Sequence, residues 1–155
     1  MRIGIVYTSI SVTKNTAAIA EILKYELQKK HNAIIDIYDV RNFPYQKLDI
    51  YDAFIIGTYT WGNGDIPRQM EKLFKFIEVN GTKDLVTAVF GSGDSFYPYF
   101  CGAVDKFRDM LYHHTDLAVT LKVELFPQKK DERKCIVFSE KIINRLKNKN
   151  RMVMQ

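Results

Sequence analysis

The sequence predicts one α/β domain built on a doubly wound, five-stranded parallel sheet with helices on both faces. Strand-like and helix-like patterns alternate five times along the chain, as in parallel strands joined by crossover helices. Several strand-like runs are almost wholly apolar, as expected for strands covered on both sides. The 155 residues fit a single domain, 1–148, followed by a basic C-terminal tail, 149–155.

The first half of the chain contains three of the strands. Ile3–Tyr7 predicts the first strand, and the polar loop Thr8–Lys14 leads into a helix that ends near Asn32. Alternating side chains over Ile34–Val40 predict a less buried second strand. The apolar run Ala53–Thr58 predicts a third strand that is covered on both faces.

The second half completes the alternation. A helix is predicted from Pro67, which is tolerated in a first turn, to about Val79, before the helix-stop pair Asn80-Gly81. The remaining elements are predicted as a strand, a helix, a strand and a last helix at Leu85–Phe90, Tyr99–His113, Leu117–Phe126 and Asp131–Asn148.

The net charge of +5 is concentrated at one end of the chain. Gln128–Gln155 contains nine Lys or Arg and three Asp or Glu, so it carries +6 and the rest carries −1. We interpret this as a solvated helix face, because no aromatic residues interleave the cations as they do on single-strand nucleic-acid platforms. Nucleic-acid binding through Lys147–Arg151 is the alternative.

The apolar runs, the N-terminal pattern and the cysteines bear on where the protein works and on its partners. Within the printed sequence no apolar run reaches the roughly 18 residues of a membrane helix, and the N-terminus lacks the pattern of a signal peptide. We therefore expect a cytoplasmic monomer with neither a membrane nor a nucleic-acid partner. Cys101 and Cys135 have no metal or redox spacing and are expected to be reduced and buried.

Three loops follow the first, third and fourth predicted strands, whose carboxyl ends lie at one edge of such a sheet. The first loop holds Ser and Thr hydroxyls and Lys14 beside a helix start, which suits a phosphate. An ordinary helix cap by Thr13, Asn15 or Thr16 is the alternative. The second loop carries Trp61, and the third carries Tyr97. Together they favour a phosphate-bearing ligand with a flat ring, such as FMN.

Three motifs resemble the flavodoxins and extend over nearly the whole chain. They are Tyr7–Ser11 with Asn15-Thr16, Gly57–Gly62, and Phe90–Ser95 continuing through Tyr97 to Asp105. The resemblance is to the short-chain subgroup, because no long insertion separates the fifth strand from the last helix. It implies the strand order 2-1-3-4-5 and non-covalently bound FMN.

The resemblance also implies which residues hold FMN, with neither catalytic nor metal-binding residues among them. The phosphate would be held by Ser9, Ile10, Ser11, Thr13, Lys14, Asn15 and Thr16. The ring would be held by Thr60, Trp61, Gly62, Asn63, Ser92, Gly93, Asp94, Tyr97, Phe100 and Cys101, with Trp61 and Tyr97 on opposite faces.

The first loop departs from the family pattern in length. It is two residues longer, and Lys14 stands where glycine is expected. Lys14 weakens phosphate binding if that position needs a positive φ, because a side chain is strained there. Lys14 strengthens binding if its ammonium group reaches the phosphate. The sequence leaves both alternatives open.

The function implied by the resemblance is low-potential, one-electron transfer by an electron carrier that is not a stand-alone enzyme. A flavodoxin/ferredoxin reductase would supply the electrons and other redox enzymes would accept them. Two alternatives differ in class. One is an FMN-dependent NAD(P)H:quinone reductase of similar fold, and the other is a binding or signalling module that has lost its flavin.

Overall fold

The computed structural model describes residues 1–9 and 14–155. The strands and α-helices of this part of the chain are β1 (Arg2–Tyr7), α1 (Asn15–His31), β2 (Ile34–Asp39), β3 (Ala53–Tyr59), α2 (Glu71–Asn80), β4 (Val86–Gly93), α3 (Gly102–His114), β5 (Asp116–Glu124) and α4 (Lys129–Val153). The strands form one parallel sheet in the order β2-β1-β3-β4-β5. This arrangement confirms both the α/β class and the strand order that the resemblance implies.

The sheet separates two hydrophobic cores. One core contains the apolar side chains of α1 and α4, including Leu23 and Ile142. The other contains those of α2 and α3, including Leu73 and Phe107. Because successive side chains of a strand point to opposite faces, Ile55 of β3 packs in the first core and its neighbours pack in the second. The prediction of helices on both faces is therefore confirmed.

The fourth strand is longer than the predicted Leu85–Phe90. It continues through Gly91-Ser92-Gly93, which the sequence assigned to the loop after the fourth strand. The extension pairs with strands on both sides, Ser92 with Tyr59 and Gly93 with Glu124, so its backbone groups are satisfied within the sheet. The following helix starts later than predicted, at Gly102.

Helices α2 and α4 also differ from the predicted bounds. A short 3₁₀ turn, Arg68–Met70, precedes α2, so this helix begins at Glu71 rather than at Pro67. Helix α4 runs to Val153, beyond the predicted end at Asn148. Lys149 reaches Asp84 across the domain edge, which ties the additional turn to the sheet. In the described ranges, no helix combines the length and apolar character needed to cross a bilayer.

Candidate functional site

The three loops singled out by the sequence leave neighbouring strands at one edge of the sheet. The amide of Thr8 donates to the carbonyl of Gly57 over 3.1 Å, which joins the ends of β1 and β3. The hydroxyls of Thr16 and Ser92 share a buried hydrogen bond of 2.9 Å. The first turn of α1 is therefore connected directly to the end of β4.

The start of α1 presents two unusual features. Lys14 precedes the helix in a left-handed conformation, with φ +52° and ψ +40°, and its side chain makes no capping hydrogen bond. The Oδ1 atom of Asn15 is buried without a hydrogen-bond partner among the described residues. An amide oxygen and nitrogen exchange places on a flip of the side chain, so Asn15 can instead direct a donor into this position. Ser9 lies beside this helix start and is half-buried.

Four of the predicted phosphate residues have described positions, and these are Ser9, Lys14, Asn15 and Thr16. Thr16 is 1% exposed and bonded to Ser92, so its side chain connects two loops. Ile10, Ser11 and Thr13, which the resemblance also assigned to the phosphate, lie outside the described residues.

The loop after β3 forms a tight hairpin. Trp61 and Asp65 exchange two backbone hydrogen bonds of 2.7 and 2.8 Å. Gly62 and Gly64 between them have φ values of +51° and +88°, which glycine adopts without steric cost. A Cβ atom on Gly102 would lie 2.7 Å from the Cα of Gly64, so the hairpin packs backbone to backbone on the first turn of α3.

A cavity of about 80 Å³ lies between this hairpin and the loop after β4. Residues from both loops line it: Thr60, Gly62, Asn63, Gly93, Asp94, Tyr97, Pro98, Tyr99, Phe100 and Cys101. Tyr97 is 64% exposed at this cavity. Trp61 is 60% exposed and instead lines a separate, open depression of about 800 Å³ with Tyr59 and Ile66.

The loop after β4 is held in place by hydrogen bonds. Asp94 accepts from the amide of Phe96 through its carboxylate and from the amide of Tyr97 through its carbonyl. The carbonyl of Gly93 accepts from the amide of Leu125 over 2.8 Å, and Ser95 donates to Glu124. The loop is therefore braced against the end of β5.

Cys101 closes this loop with a buried side chain. It precedes α3 in a left-handed conformation, with φ +51°, and is 1% exposed. Its thiol donates to the carbonyl of Gly91 over 3.8 Å. Burial raises the pKa of the Cys101 thiol to about 12, so the thiol is protonated at neutral pH and is not a nucleophile.

Thr60 stabilises the start of α3. Its hydroxyl accepts from the amide of Ala103 over 3.2 Å, which satisfies a helix donor that Cys101 cannot cap. Nearby, Lys122 of β5 pairs with Asp105 over 2.9 Å and approaches the carbonyl of Phe100. The start of α3 is thus held by Thr60, which follows β3, and by Lys122 of β5.

The structure brings most of the predicted ring residues to one cavity but puts two of them elsewhere. Ser92 contributes its buried bond to Thr16, and Trp61 faces the larger depression. Sequence reasoning missed Pro98 and Tyr99 as lining residues, and it missed the close contact of Gly64 with Gly102. Gly102, a glycine near the start of the predicted helix Tyr99–His113, was the available signal, because this residue type permits close approach of two backbones.

The side-chain types that ligate metals are scattered over the described part of the chain. Across residues 1–9 and 14–155, no group of three His, Cys, Asp or Glu side chains is arranged to hold a metal ion. The three histidines, His31, His113 and His114, lie in the last turns of α1 and α3. Cys101 and Cys135 are both buried and free, which confirms the prediction for them.

A helix start and a loop-lined cavity at one edge of a doubly wound sheet define a cofactor-binding domain of the nucleotide-binding class. The family model described as flavodoxin matches residues 5–136. A probable flavodoxin 1 of Bacillus subtilis strain 168 is 42% identical over 139 residues, which cover 85% of each chain. The chain therefore belongs to the flavodoxin family.

Solved structures agree with this assignment. The crystal structure of oxidised flavodoxin 2 from Bacillus cereus has a TM-score of 0.85 and 32% identity, with 94% of this chain and 99% of that chain covered. A flavodoxin of Streptococcus pneumonia TIGR4 has a TM-score of 0.86 and 26% identity at the same coverage. Membership of this family makes the protein an FMN-binding electron-transfer protein, a carrier rather than an enzyme.

Proposed function

We propose that this chain carries single electrons at low potential on non-covalently bound FMN, between a separate reductase and other redox enzymes. The observation that supports this most directly is the buried hydrogen bond between Thr16 and Ser92. It joins the helix start suited to a phosphate to the strand end that leads to the cavity suited to a ring. A single ligand that carries a phosphate and a flat ring would occupy the helix start and the cavity together.

The phosphate end is proposed to use the start of α1. The first amides of a helix have no partners within the helix, and the helix dipole favours an anion there. Asn15 adds a buried amide without a partner among the described residues. Lys14 has the positive φ that the sequence analysis considered for this position. A residue with a Cβ atom is strained in this backbone conformation, whereas glycine is not. We infer that the ammonium group of Lys14 compensates by neutralising phosphate charge.

The ring end is proposed to lie at the mouth of the cavity. A volume of about 80 Å³ is well below the roughly 300–1,000 Å³ of pockets that enclose small ligands. A flavin ring would therefore be held between loops with one edge open to partners. Tyr97 at the cavity and Trp61 on the neighbouring hairpin are the exposed aromatic rings available to stack on it.

Bound FMN supplies the redox chemistry, because it accepts and releases electrons one at a time. The residues around the bound flavin would set its reduction potential. Asp94 and Glu124 lie at the ring end, where negative charge and partial exclusion of water disfavour added electrons. The carbonyl of Gly62, which lines the cavity, would be an acceptor for an N–H group of the bound ring. A hydrogen bond of this kind contributes about 0.5–1.5 kcal/mol.

The small open mouth of the cavity suits brief contacts with electron-transfer partners. Redox encounters use small, weak interfaces whose rates depend on charge, which suits the open cavity mouth and its mixed charges. We further propose that the chain works as a monomer in the cytoplasm, where the buried free thiols of Cys101 and Cys135 remain reduced.

Titration of the purified protein with FMN tests the proposed site. Trp61 is the only tryptophan, so its fluorescence reports on the ring end directly. We expect FMN to quench this fluorescence and to lose its own. Tyr97→Ser should weaken FMN binding at least tenfold. Tyr112→Ser removes a ring of similar exposure on α3, away from the cavity, and should not weaken binding. Absence of FMN binding would contradict the proposal.

Electron transfer is tested with the loaded protein. A stepwise anaerobic reduction should show an intermediate spectrum between the oxidised and fully reduced forms. Reduction by NADPH should require an added flavodoxin reductase. Turnover of NADPH with a quinone in the absence of that reductase would instead support the quinone reductase alternative.

A further inference from the structure

The charge of the molecule is concentrated in one of its two helix layers. Helices α1 and α4 pack on one face of the sheet, and together they contain twelve Lys or Arg and five Asp or Glu. Helices α2 and α3 on the other face contain four of each kind. The surplus of positive charge therefore lies on one broad face.

Most of these cations have no carboxylate partner. Seven exposed basic residues run along α4, namely Lys129, Lys130, Arg133, Lys134, Lys141, Lys147 and Arg151. Among the described residues, only Lys134 has a carboxylate within 4.0 Å, that of Asp131 at 3.8 Å. Arg145 and Lys149, by contrast, pair with Asp116 and Asp84 and fasten the helix to the sheet. The unpaired cations are free to face a partner.

The spacing of four of these cations puts them on one side of helix α4. Residues three or four apart share a helix face, and Lys130, Lys134, Lys141 and Arg151 follow that spacing with Val137 between them. Helix α4 has 25 residues, so this face is about 37 Å long. Glu140 is the acidic residue closest to its centre line. A flat anionic surface complements a face of this length and charge.

The end of α4 adds exposed apolar side chains to this charge. Met152, Val153 and Met154 are 76%, 79% and 88% exposed and directly follow Arg151. On α1, Tyr25 is 59% exposed. Cations combined with exposed apolar and aromatic groups are the composition of protein surfaces that rest on the interface of anionic bilayers.

We propose that the layer formed by α1 and α4 docks on bilayers that contain anionic lipids, with Met152–Met154 entering the headgroup region. The sequence-based expectation of no membrane partner rested on the absence of a spanning segment, and peripheral docking uses different features. A nucleic acid fits less well, because the exposed face of α4 offers no aromatic rings on which bases stack.

Docking in this way would leave the candidate site open. Helix α4 begins beside the end of β5, at the cavity edge of the sheet, whereas Lys149 and Arg145 contact the starts of β4 and β5 at the opposite edge. The apolar residues 152–154 therefore lie at the end of the molecule farthest from the cavity. A membrane-bound redox partner could still approach the cavity from the side.

Sedimentation with lipid vesicles tests the proposal, with or without FMN, so its outcome is independent of the proposed function. The full chain is mixed at low salt with vesicles of phosphatidylcholine alone or with about one third phosphatidylglycerol. We expect at least tenfold stronger partitioning onto the anionic vesicles. High salt should remove most of this difference, because screening weakens attraction between exposed charges.

Matched charge reversals identify the face. Lys134→Glu with Lys141→Glu should reduce partitioning at least tenfold, whereas Lys72→Glu with Lys75→Glu on α2 changes the net charge equally and should reduce it much less. Met152→Ser with Val153→Ser and Met154→Ser should reduce it at high salt as well. Circular dichroism checks that each variant is folded.

Three results would overturn the proposal. The first is equal partitioning onto neutral and anionic vesicles. The second is an equal loss for the α2 and α4 charge reversals, which would indicate a response to net charge alone. The third is salt-sensitive binding to an oligonucleotide with no binding to anionic vesicles, which would assign the face to nucleic acid.

Discussion

Helices α1 and α3 both start at the candidate site from a residue in the left-handed conformation. Lys14 has φ +52° and ψ +40°, and Cys101 has φ +51° and ψ +37°. Neither residue is glycine, and neither caps its helix with a side chain. Their surroundings differ, because Lys14 is exposed and Cys101 is 1% exposed. Among the described residues, packing thus compensates the backbone strain at Cys101 and not at Lys14.

This difference separates the start of α3, which the described residues stabilise, from the start of α1, which they leave strained. At the ring side, the protein stabilises its own strained residue through the buried Cys101 thiol, Thr60 and the contact of Gly64 with Gly102. At the phosphate side, the described residues offer no such compensation for Lys14. We infer that FMN phosphate provides it, and substitutions on the two sides test this inference.

The largest effect is expected from filling the backbone contact on the ring side. Gly102→Ala would place a Cβ atom 2.7 Å from the Cα of Gly64, and neither backbone can move without disturbing the hairpin. We expect a loss of about 3 kcal/mol in the free energy of unfolding. Urea denaturation measures it. Gly62→Ala, which meets only the carboxylate of Asp65 at 3.5 Å, is the control and should cost less.

The next effect tests whether the two halves are coupled. Thr16→Val keeps the shape of the side chain but leaves the Ser92 hydroxyl buried without its partner. We expect a loss of about 2 kcal/mol in the free energy of unfolding. Thr16→Ser retains the hydroxyl and should cost less. If the double variant Thr16→Val with Ser92→Ala costs as much as the two single changes added together, the hydroxyls are not coupled.

Smaller effects are expected from glycine substitutions at Lys14 and Cys101, and the two substitutions should change stability in opposite directions. Lys14→Gly should raise the free energy of unfolding of the FMN-free protein by about 1 kcal/mol, because glycine removes the strain. It should also weaken FMN binding, which titration measures. Cys101→Gly should lower stability, because relief of the same strain is offset by the lost packing of a buried side chain. Changes of the same sign would remove the proposed distinction.

Much of the fold could be predicted from the sequence because apolar spacing reports directly on burial. The helix-spaced Phe138, Ile142 and Leu146 are buried as expected, and Asn32 ends α1 in a conformation that asparagine tolerates. The end of β4 was predicted wrongly, because Gly91-Ser92-Gly93 has the composition of a turn. Pairing with strands on both sides overrides that local preference.

The candidate site was less accessible to sequence reasoning because it depends on contacts across long separations. The type of residue in each loop identified the edge of the sheet. It could not reveal that Ser92 would bond Thr16, that Thr60 would cap α3, or that Trp61 would lie apart from the cavity holding Tyr97. The sequence did identify Lys14 as the departure from the family pattern, and the structure shows that this position has the positive φ that one of the two alternatives required.

The last effect is confined to alkaline pH and comes from the titration of Cys101, the compensated residue of the comparison. Burial raises the pKa of its thiol from the ordinary 9.0 to about 12 in the folded protein. The unfolded chain therefore loses this proton first, and stability should fall as the pH rises from about 9 toward about 12. Urea denaturation across the lower part of this range measures the slope.

Cys135 is expected to contribute to the same slope, since burial raises its pKa to about 12 as well. Cys101→Ala should therefore reduce the decline without abolishing it. Alkylation by iodoacetamide provides a second measurement, because only the thiolate reacts. Cys101 in the folded protein should react at least tenfold more slowly at pH 9 than in the unfolded chain. Rapid labelling would mean that the ring-side helix start opens readily and is no better packed than the one at Lys14.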